Sequence, residues 1–115
     1  MNFENPLFLI PILTGPIMFV AGWILKKYPP KKINEFYGYR TKNSKKNQER
    51  WDFAQQYSAK EMMFQGAMVS LSCILGVFME PRAGIGVVIG LGIMIFAFII
   101  LMLRTERAIK TRFKD

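Results

Sequence analysis

Three long stretches without a single charged residue constrain this chain more than any other feature of its sequence. They span residues 7–25, 62–79 and 84–103. A helix rises about 1.5 Å per residue, so each stretch is long enough to cross the hydrocarbon core of a bilayer, which is about 30 Å thick. The sequence therefore predicts an all-α polytopic membrane protein with three transmembrane helices.

The alternative is a soluble bundle of three buried helices. The helices of such a bundle carry a polar stripe that recurs every three to four residues, and the run from Ile93 to Leu101 has none. A chain of 115 residues also has too little mass to cover three helices that are apolar on every side. We therefore expect one membrane domain over residues 1–115, with the three stretches as its crossings.

The basic residues indicate how these crossings are oriented. The chain has 16 Lys and Arg against eight Asp and Glu, which gives a net charge of +8. The loop 26–61 carries +6 and the tail 104–115 carries +3, whereas the link 80–83 is neutral. Cytoplasmic segments are enriched in Lys and Arg, so we expect the loop and the tail in the cytoplasm and the N-terminus outside. Residues 1–6 lack the basic start of a signal peptide, and we expect the first crossing to be an uncleaved anchor.

Composition argues against catalysis and metal binding. The chain has no His, and its one cysteine, Cys73, lies inside the second apolar stretch. Nucleophilic catalysis needs a nucleophile beside a positioned base, and structural metal sites need clustered Cys or His ligands. We therefore expect no enzymatic activity, no metal and no cofactor.

The most distinctive part of the sequence is the loop between the first two crossings. Pro29 and Pro30 end the first helix, and a segment rich in tyrosine, asparagine and basic residues follows. Gly38 between two tyrosines indicates a turn whose backbone dihedral favours glycine. A short juxtamembrane amphipathic helix is predicted from about Asn47, capped by Asn47 or Ser44, and it either bends or continues into the second crossing.

The motif in this loop resembles the signature of the SdpI-type membrane proteins. The residues that carry the resemblance are Asn34, Tyr37, Gly38, Tyr39, Arg40, Thr41, Ser44, Asn47, Trp51 and Ala54. The layout is similar too, with one crossing before the motif and two after it. The eponymous member is an immunity protein against a secreted, membrane-active killing peptide of sporulating bacteria. It also holds a transcriptional repressor at the membrane when the toxin is present.

The resemblance implies a short, single-motif binding protein of the bacterial cell membrane. Its implied partners are the lipid bilayer, a hydrophobic or amphipathic peptide toxin and a cytoplasmic transcriptional regulator. The implied binding residues are the motif residues from Asn34 to Trp51, and Arg40 is the main candidate because a guanidinium donates several hydrogen bonds and keeps its charge. The other interpretation is that these residues only lock the loop onto the helix ends.

Three further expectations concern assembly and other functions. Small residues at four-residue spacing in the second and third crossings permit close helix packing, either within the chain or in a homo-oligomer. A small transporter or channel component acting as an oligomer is the alternative function, although Thr14, Gln65, Ser70 and Ser72 supply little polar lining for a pore. A nucleic-acid role is not expected, because no soluble fold remains outside the bilayer to present the basic loop.

The predicted orientation can be checked with an accessibility assay on the intact membrane. We expect a tag at the C-terminus to be accessible from the cytoplasmic side, because nine net positive charges lie in the loop and the tail and the positive-inside rule retains them there. A C-terminus that is protected from the cytoplasmic side contradicts this topology.

Overall fold

The computed structural model describes residues 4–79 and 81–113, and it contains no strand within these two ranges. Its helices are α1 Pro6–Lys27, α2 Gln48–Leu71, α3 Ile74–Phe78 and α4 Ala83–Arg112. Three helical segments, namely α1, α2 together with α3, and α4, are long and apolar enough to cross a membrane. The prediction of an all-α polytopic membrane protein with three crossings is therefore confirmed.

The first helix is fixed at its start by a single asparagine. The side-chain oxygen of Asn5 accepts a hydrogen bond from the Leu7 amide at 3.0 Å, which caps α1. Its side-chain nitrogen donates to the carbonyls of Gly76 and Met79, at 3.1 and 2.8 Å, at the end of α3. One buried amide thus joins the beginning of the first crossing to the end of the second.

The juxtamembrane helix and the second crossing form one continuous helix. Asn47 caps α2 through a 2.8 Å hydrogen bond from the Arg50 amide, as one of the two predicted caps. The helix then continues to Leu71, so the juxtamembrane helix continues into the second crossing and does not bend before it. It is interrupted at Ser72 and Cys73, before the short α3. The fourth helix extends through Arg112, and most of the predicted tail is therefore helical.

Glycines allow α1 and α2 to make backbone contact. A Cβ placed on Gly66 would lie 2.5 Å from the amide nitrogen of Phe19, and one on Gly22 would lie 2.8 Å from the carbonyl oxygen of Ala59. Such distances leave no room for a side chain, so the two antiparallel helices pack with their backbones in close approach. The small residue Gly66 thus serves packing within this chain.

The surface of the bundle is dominated by apolar side chains. Ile17 on α1 and Val88 on α4 are about 70% exposed, and Phe78 is 80% exposed. Water would make such an apolar surface costly, whereas lipid tails solvate it freely. The bundle of three long helices, with an extent of 50 Å along its main axis, therefore suits a bilayer.

The glycine contact predicts a position-dependent effect of adding one methyl group. Gly66→Ala is expected to lower the free energy of unfolding by roughly 1–3 kcal/mol, because the new methyl group forces the backbones of α1 and α2 apart. Gly92→Ala is the matched control, since a Cβ there meets no atom within 4 Å. Unfolding in mixed detergent micelles, followed by circular dichroism, measures both variants, and equal destabilisation by the two would contradict the packing argument.

Candidate functional site

The motif loop is shaped first by its own short-range hydrogen bonds. The side-chain oxygen of Asn34 accepts from the amides of Phe36 and Tyr37, both at 2.8 Å. Such a bond lets an asparagine side chain stand in for a backbone turn. Gly38 has a φ of +100°, a backbone conformation that residues other than glycine rarely adopt. The predicted glycine turn is therefore confirmed. The two residues together reverse the chain next to α2.

A buried glutamine of α2 holds this turn in place. Gln55 is 1% exposed. Its side-chain oxygen accepts from the Tyr39 amide at 2.7 Å, and its side-chain nitrogen donates to the Tyr39 carbonyl at 2.7 Å. Gly38 lies directly against the Gln55 side chain, and a Cβ there would collide with it. Gln55 therefore provides a hydrogen-bond partner for both the amide and the carbonyl of Tyr39.

The second half of the motif forms a closed turn before α2. The Ser44 hydroxyl accepts from the Thr41 amide at 2.8 Å, and the Thr41 hydroxyl accepts from the Ser44 amide at 3.2 Å. Ser44 is completely buried and also donates towards the Thr41 carbonyl at 2.9 Å. This reciprocal pair satisfies polar groups that would otherwise be unpaired in the interior.

Two aromatic side chains tie the loop to the end of α1. The indole nitrogen of Trp51 donates to the Pro30 carbonyl at 2.7 Å, and Trp51 is fully buried. The Tyr37 hydroxyl donates to the Tyr28 carbonyl at 2.8 Å. Both bonds reach carbonyls at or just beyond the C-terminus of α1, where no intrahelical donor remains.

The third attachment of the loop is the carboxylate of Glu106 on α4. The Tyr39 hydroxyl donates to one of its oxygens and the Asn43 side chain donates to the other, each at 2.7 Å. Burial, together with the hydrogen bond to Glu106, raises the pKa of Tyr39 far above its usual value. Tyr39 therefore stays protonated and keeps donating to Glu106 at every physiological pH.

Arg40 lies on the outer side of the loop. Its side chain is exposed and donates to the carbonyl of Glu35. Glu35 in turn pairs with Lys45, whose ammonium lies 2.8 Å away and lowers the pKa of the Glu35 carboxyl. Arg40 thus helps to hold the loop, and because it is exposed it is also available to an incoming group.

A cleft of about 500 Å³ lies beneath the motif loop, within the range of about 300–1,000 Å³ that is common for ligand pockets. Tyr37, Gly38, Tyr39, Arg40 and Thr41 form its polar rim. Its walls come from all three crossings, namely Ala21, Leu25, Ser58, Met62, Phe98, Leu101 and Met102. The lining thus combines side chains of the three crossings with polar residues of the motif loop, Arg40 among them.

The predicted motif residues lie in the loop and at the start of α2, and their contacts divide them into two groups. Tyr37 to Thr41 line the cleft, whereas Asn34, Ser44, Asn47 and Trp51 form the hydrogen bonds that shape the loop and its junctions with the helices. Sequence reasoning missed Gln55, Asn43 and Glu106. Gln55 carried one usable signal, because it lies four residues after the motif residue Trp51 and so shares its side of the predicted helix.

Residues 31–103 match the SdpI/YfhL protein family, and these residues include the whole motif from Asn34 to Ala54. The chain belongs to the SdpI/YfhL family. It is 34% identical over 91 residues to the uncharacterized protein YfhL of Bacillus subtilis (strain 168), which covers 79% of this chain and 71% of YfhL. No solved structure matches it.

The clamp formed by Gln55 in this SdpI/YfhL protein can be tested by removing its amide. Gln55→Leu is expected to lower the free energy of unfolding by roughly 1–3 kcal/mol, because the Tyr39 amide loses its partner and the Tyr39 carbonyl keeps only the bond from the Ser44 hydroxyl at 3.3 Å. Amide hydrogen exchange at Tyr39 should also become faster. Gln56→Leu is the matched control, because the neighbouring Gln56 is exposed. Unchanged exchange in Gln55→Leu would show that the clamp does not hold the loop.

Proposed function

We propose that this protein binds a hydrophobic or amphipathic membrane-active peptide in the cleft beneath the motif loop, and that it thereby acts in immunity or sensing. The observation that carries the proposal is the cleft itself. Its walls are apolar side chains of the three crossings, and its rim is the family motif from Tyr37 to Thr41. An apolar face of the peptide fits the walls, while a carboxylate or carbonyl of the peptide fits the guanidinium of Arg40.

The position of the cleft supports entry from the bilayer. Phe98 and Met102 on its α4 side are about half exposed, so this wall continues into the lipid-facing surface of the bundle. A peptide that has already partitioned into the membrane would meet the cleft without passing through water. This route suits a ligand whose affinity for lipid exceeds its solubility in water.

A bound peptide would also act on the loop. Tyr39 lines the cleft, and its hydroxyl is bonded to Glu106 near the end of α4. Displacement of Tyr39 would weaken this contact and change the surface that the loop and α4 present together. We propose this change as the signal for a cytoplasmic regulator, in a bacterial cell membrane with the loop and the C-terminus inside.

The geometry favours binding over transport. The hydroxyls of Thr14, Ser70 and Ser72 donate to carbonyls of their own helices, at 2.7, 2.8 and 2.6 Å. Hydroxyls used in this way are less suited to lining a path for ions than hydroxyls that face a pore. A small transporter or channel component acting as an oligomer therefore stays the second candidate, and we propose no enzymatic activity.

The proposal is tested by filling the cleft in a sensitive bacterium that expresses the protein and is challenged with a panel of membrane-active peptides. We expect the native chain to protect against at least one peptide, and Ala21→Phe to abolish this protection because the ring occupies the cleft. Val20→Phe is the matched control, since Val20 is 50% exposed on the outer face of α1. Arg40→Ala should reduce protection as well, because the entrance loses its guanidinium.

Membrane abundance is measured for every variant. Loss of protection at normal abundance supports the binding role, whereas loss of abundance in Arg40→Ala supports the interpretation that the motif only locks the loop. Equal protection by Ala21→Phe and the native chain would overturn the assignment of the cleft. Protection by none of the proteins would leave only membership of the family.

A further inference from the structure

A second depression lies between the first half of α2 and the last turns of α4. Its volume is about 660 Å³, and it is lined by Phe53, Tyr57, Arg104, Arg107, Thr111 and Arg112. We refer to it as the arginine groove. It shares no lining residue with the cleft beneath the motif loop, so its role is independent of the function proposed above.

Two of the three arginines are already held in position. The Arg104 guanidinium donates to Glu61 at 2.9 Å, and Arg112 lies 5.4 Å from the ring centre of Phe53. Phe53 is itself stacked on Tyr57, with 5.8 Å between the ring centres. A guanidinium that is fixed before binding loses less conformational freedom when it meets a phosphate.

The charge of the groove favours an anion. Three arginines line the groove. Glu61 is paired with Arg104 and therefore offsets one of the three positive charges. Glu49 and Asp52 line a neighbouring depression that shares Phe53 and Arg112 with the groove. The three lining arginines together with Glu61 carry a net charge of about +2, which is suited to a phosphate group with one or two negative charges.

An apolar depression continues from the arginine groove along the same seam between α2 and α4. Its volume is about 370 Å³, and its lining includes Phe64, Met68, Phe96, Ile100 and Arg104. Arg104 belongs to both depressions and directly follows the charge-free stretch 84–103. The seam thus has a basic part beyond that stretch and an apolar part alongside it.

We infer that this seam binds an anionic phospholipid, with its phosphate at Arg104, Arg107 and Arg112 and an acyl chain in the apolar depression. The order of the two parts along the seam is that of a lipid headgroup and its chain at a membrane surface. A soluble phosphate would use the arginines alone and would leave the apolar depression unexplained. Basic pockets between transmembrane helices are known sites for anionic headgroups.

Native mass spectrometry of the full chain in detergent tests the inference. The protein is titrated with dioleoyl-phosphatidylglycerol, with dioleoyl-phosphatidylcholine and with glycerol phosphate, which separates a lipid from a neutral headgroup and from a soluble phosphate. We expect phosphatidylglycerol to bind at least about tenfold more tightly than either of the others. Equal affinity for the two lipids, or equal affinity for glycerol phosphate and phosphatidylglycerol, would overturn the inference.

Variants locate the bound lipid. Arg107→Gln with Arg112→Gln should weaken phosphatidylglycerol binding by about tenfold. Lys26→Gln with Lys27→Gln is the matched control, because it removes the same charge at the same end of the bundle and because Lys27, like Arg112, lies over an aromatic ring. Equal losses in the two double variants would indicate general charge attraction and overturn the assignment of the groove.

A single variant separates a loss of lipid binding from a disturbance of the end of α4. Arg112 packs on Phe53 and Phe113, so its replacement can disturb the helix end, whereas Arg107 has no such ring contact among the described residues. Arg107→Gln alone should weaken phosphatidylglycerol binding by roughly threefold with unchanged helicity. No effect of Arg107→Gln would assign the loss in the double variant to misfolding and overturn the inference.

Discussion

The backbone contact between α1 and α2 determines where every other part of this bundle lies. In a membrane, lipid tails are as apolar as the side chains that they contact, so burial of apolar surface does not by itself hold helices together. Dense packing must do so, and α1 and α2 achieve it where Gly66 faces α1 and where Gly22 faces Ala59. These contacts fix the register of the two helices, and the register in turn places Gln55 against the loop and α1 in the wall of the cleft.

The loop depends on this register because its attachments come from three different helices. It has no regular secondary structure between the end of α1 and the start of α2, and its backbone groups must find partners elsewhere. Pro30 and Tyr28 accept hydrogen bonds near the end of α1, Gln55 serves both backbone groups of Tyr39 from α2, and Glu106 receives two side chains from α4. A change in the relative position of any helix would therefore reach the loop.

The crossings could be predicted from the sequence because length and lack of charge are local properties. The turn at Gly38 could be predicted for the same reason, since it depends on the backbone of one residue. The roles of Gln55 and Glu106 could not, because they lie 16 and 67 residues from Tyr39 and their meeting depends on the packing of three helices. The binding role of the motif residues stays a prediction, and the structure adds to it a cleft that five of them line.

The amide of Asn5 also sets an order for assembly in the membrane. Its two donors are bonded to carbonyls 71 and 74 residues later in the chain, and those carbonyls exist only after the second crossing has been synthesised and inserted. Until then, the side-chain nitrogen of Asn5 must donate to water or to lipid headgroups, and the start of α1 is not yet joined to the end of α3. Closing so long a loop costs conformational entropy, which is offset only when the helices pack against one another. The end of the bundle opposite the motif loop therefore closes after the crossings have met.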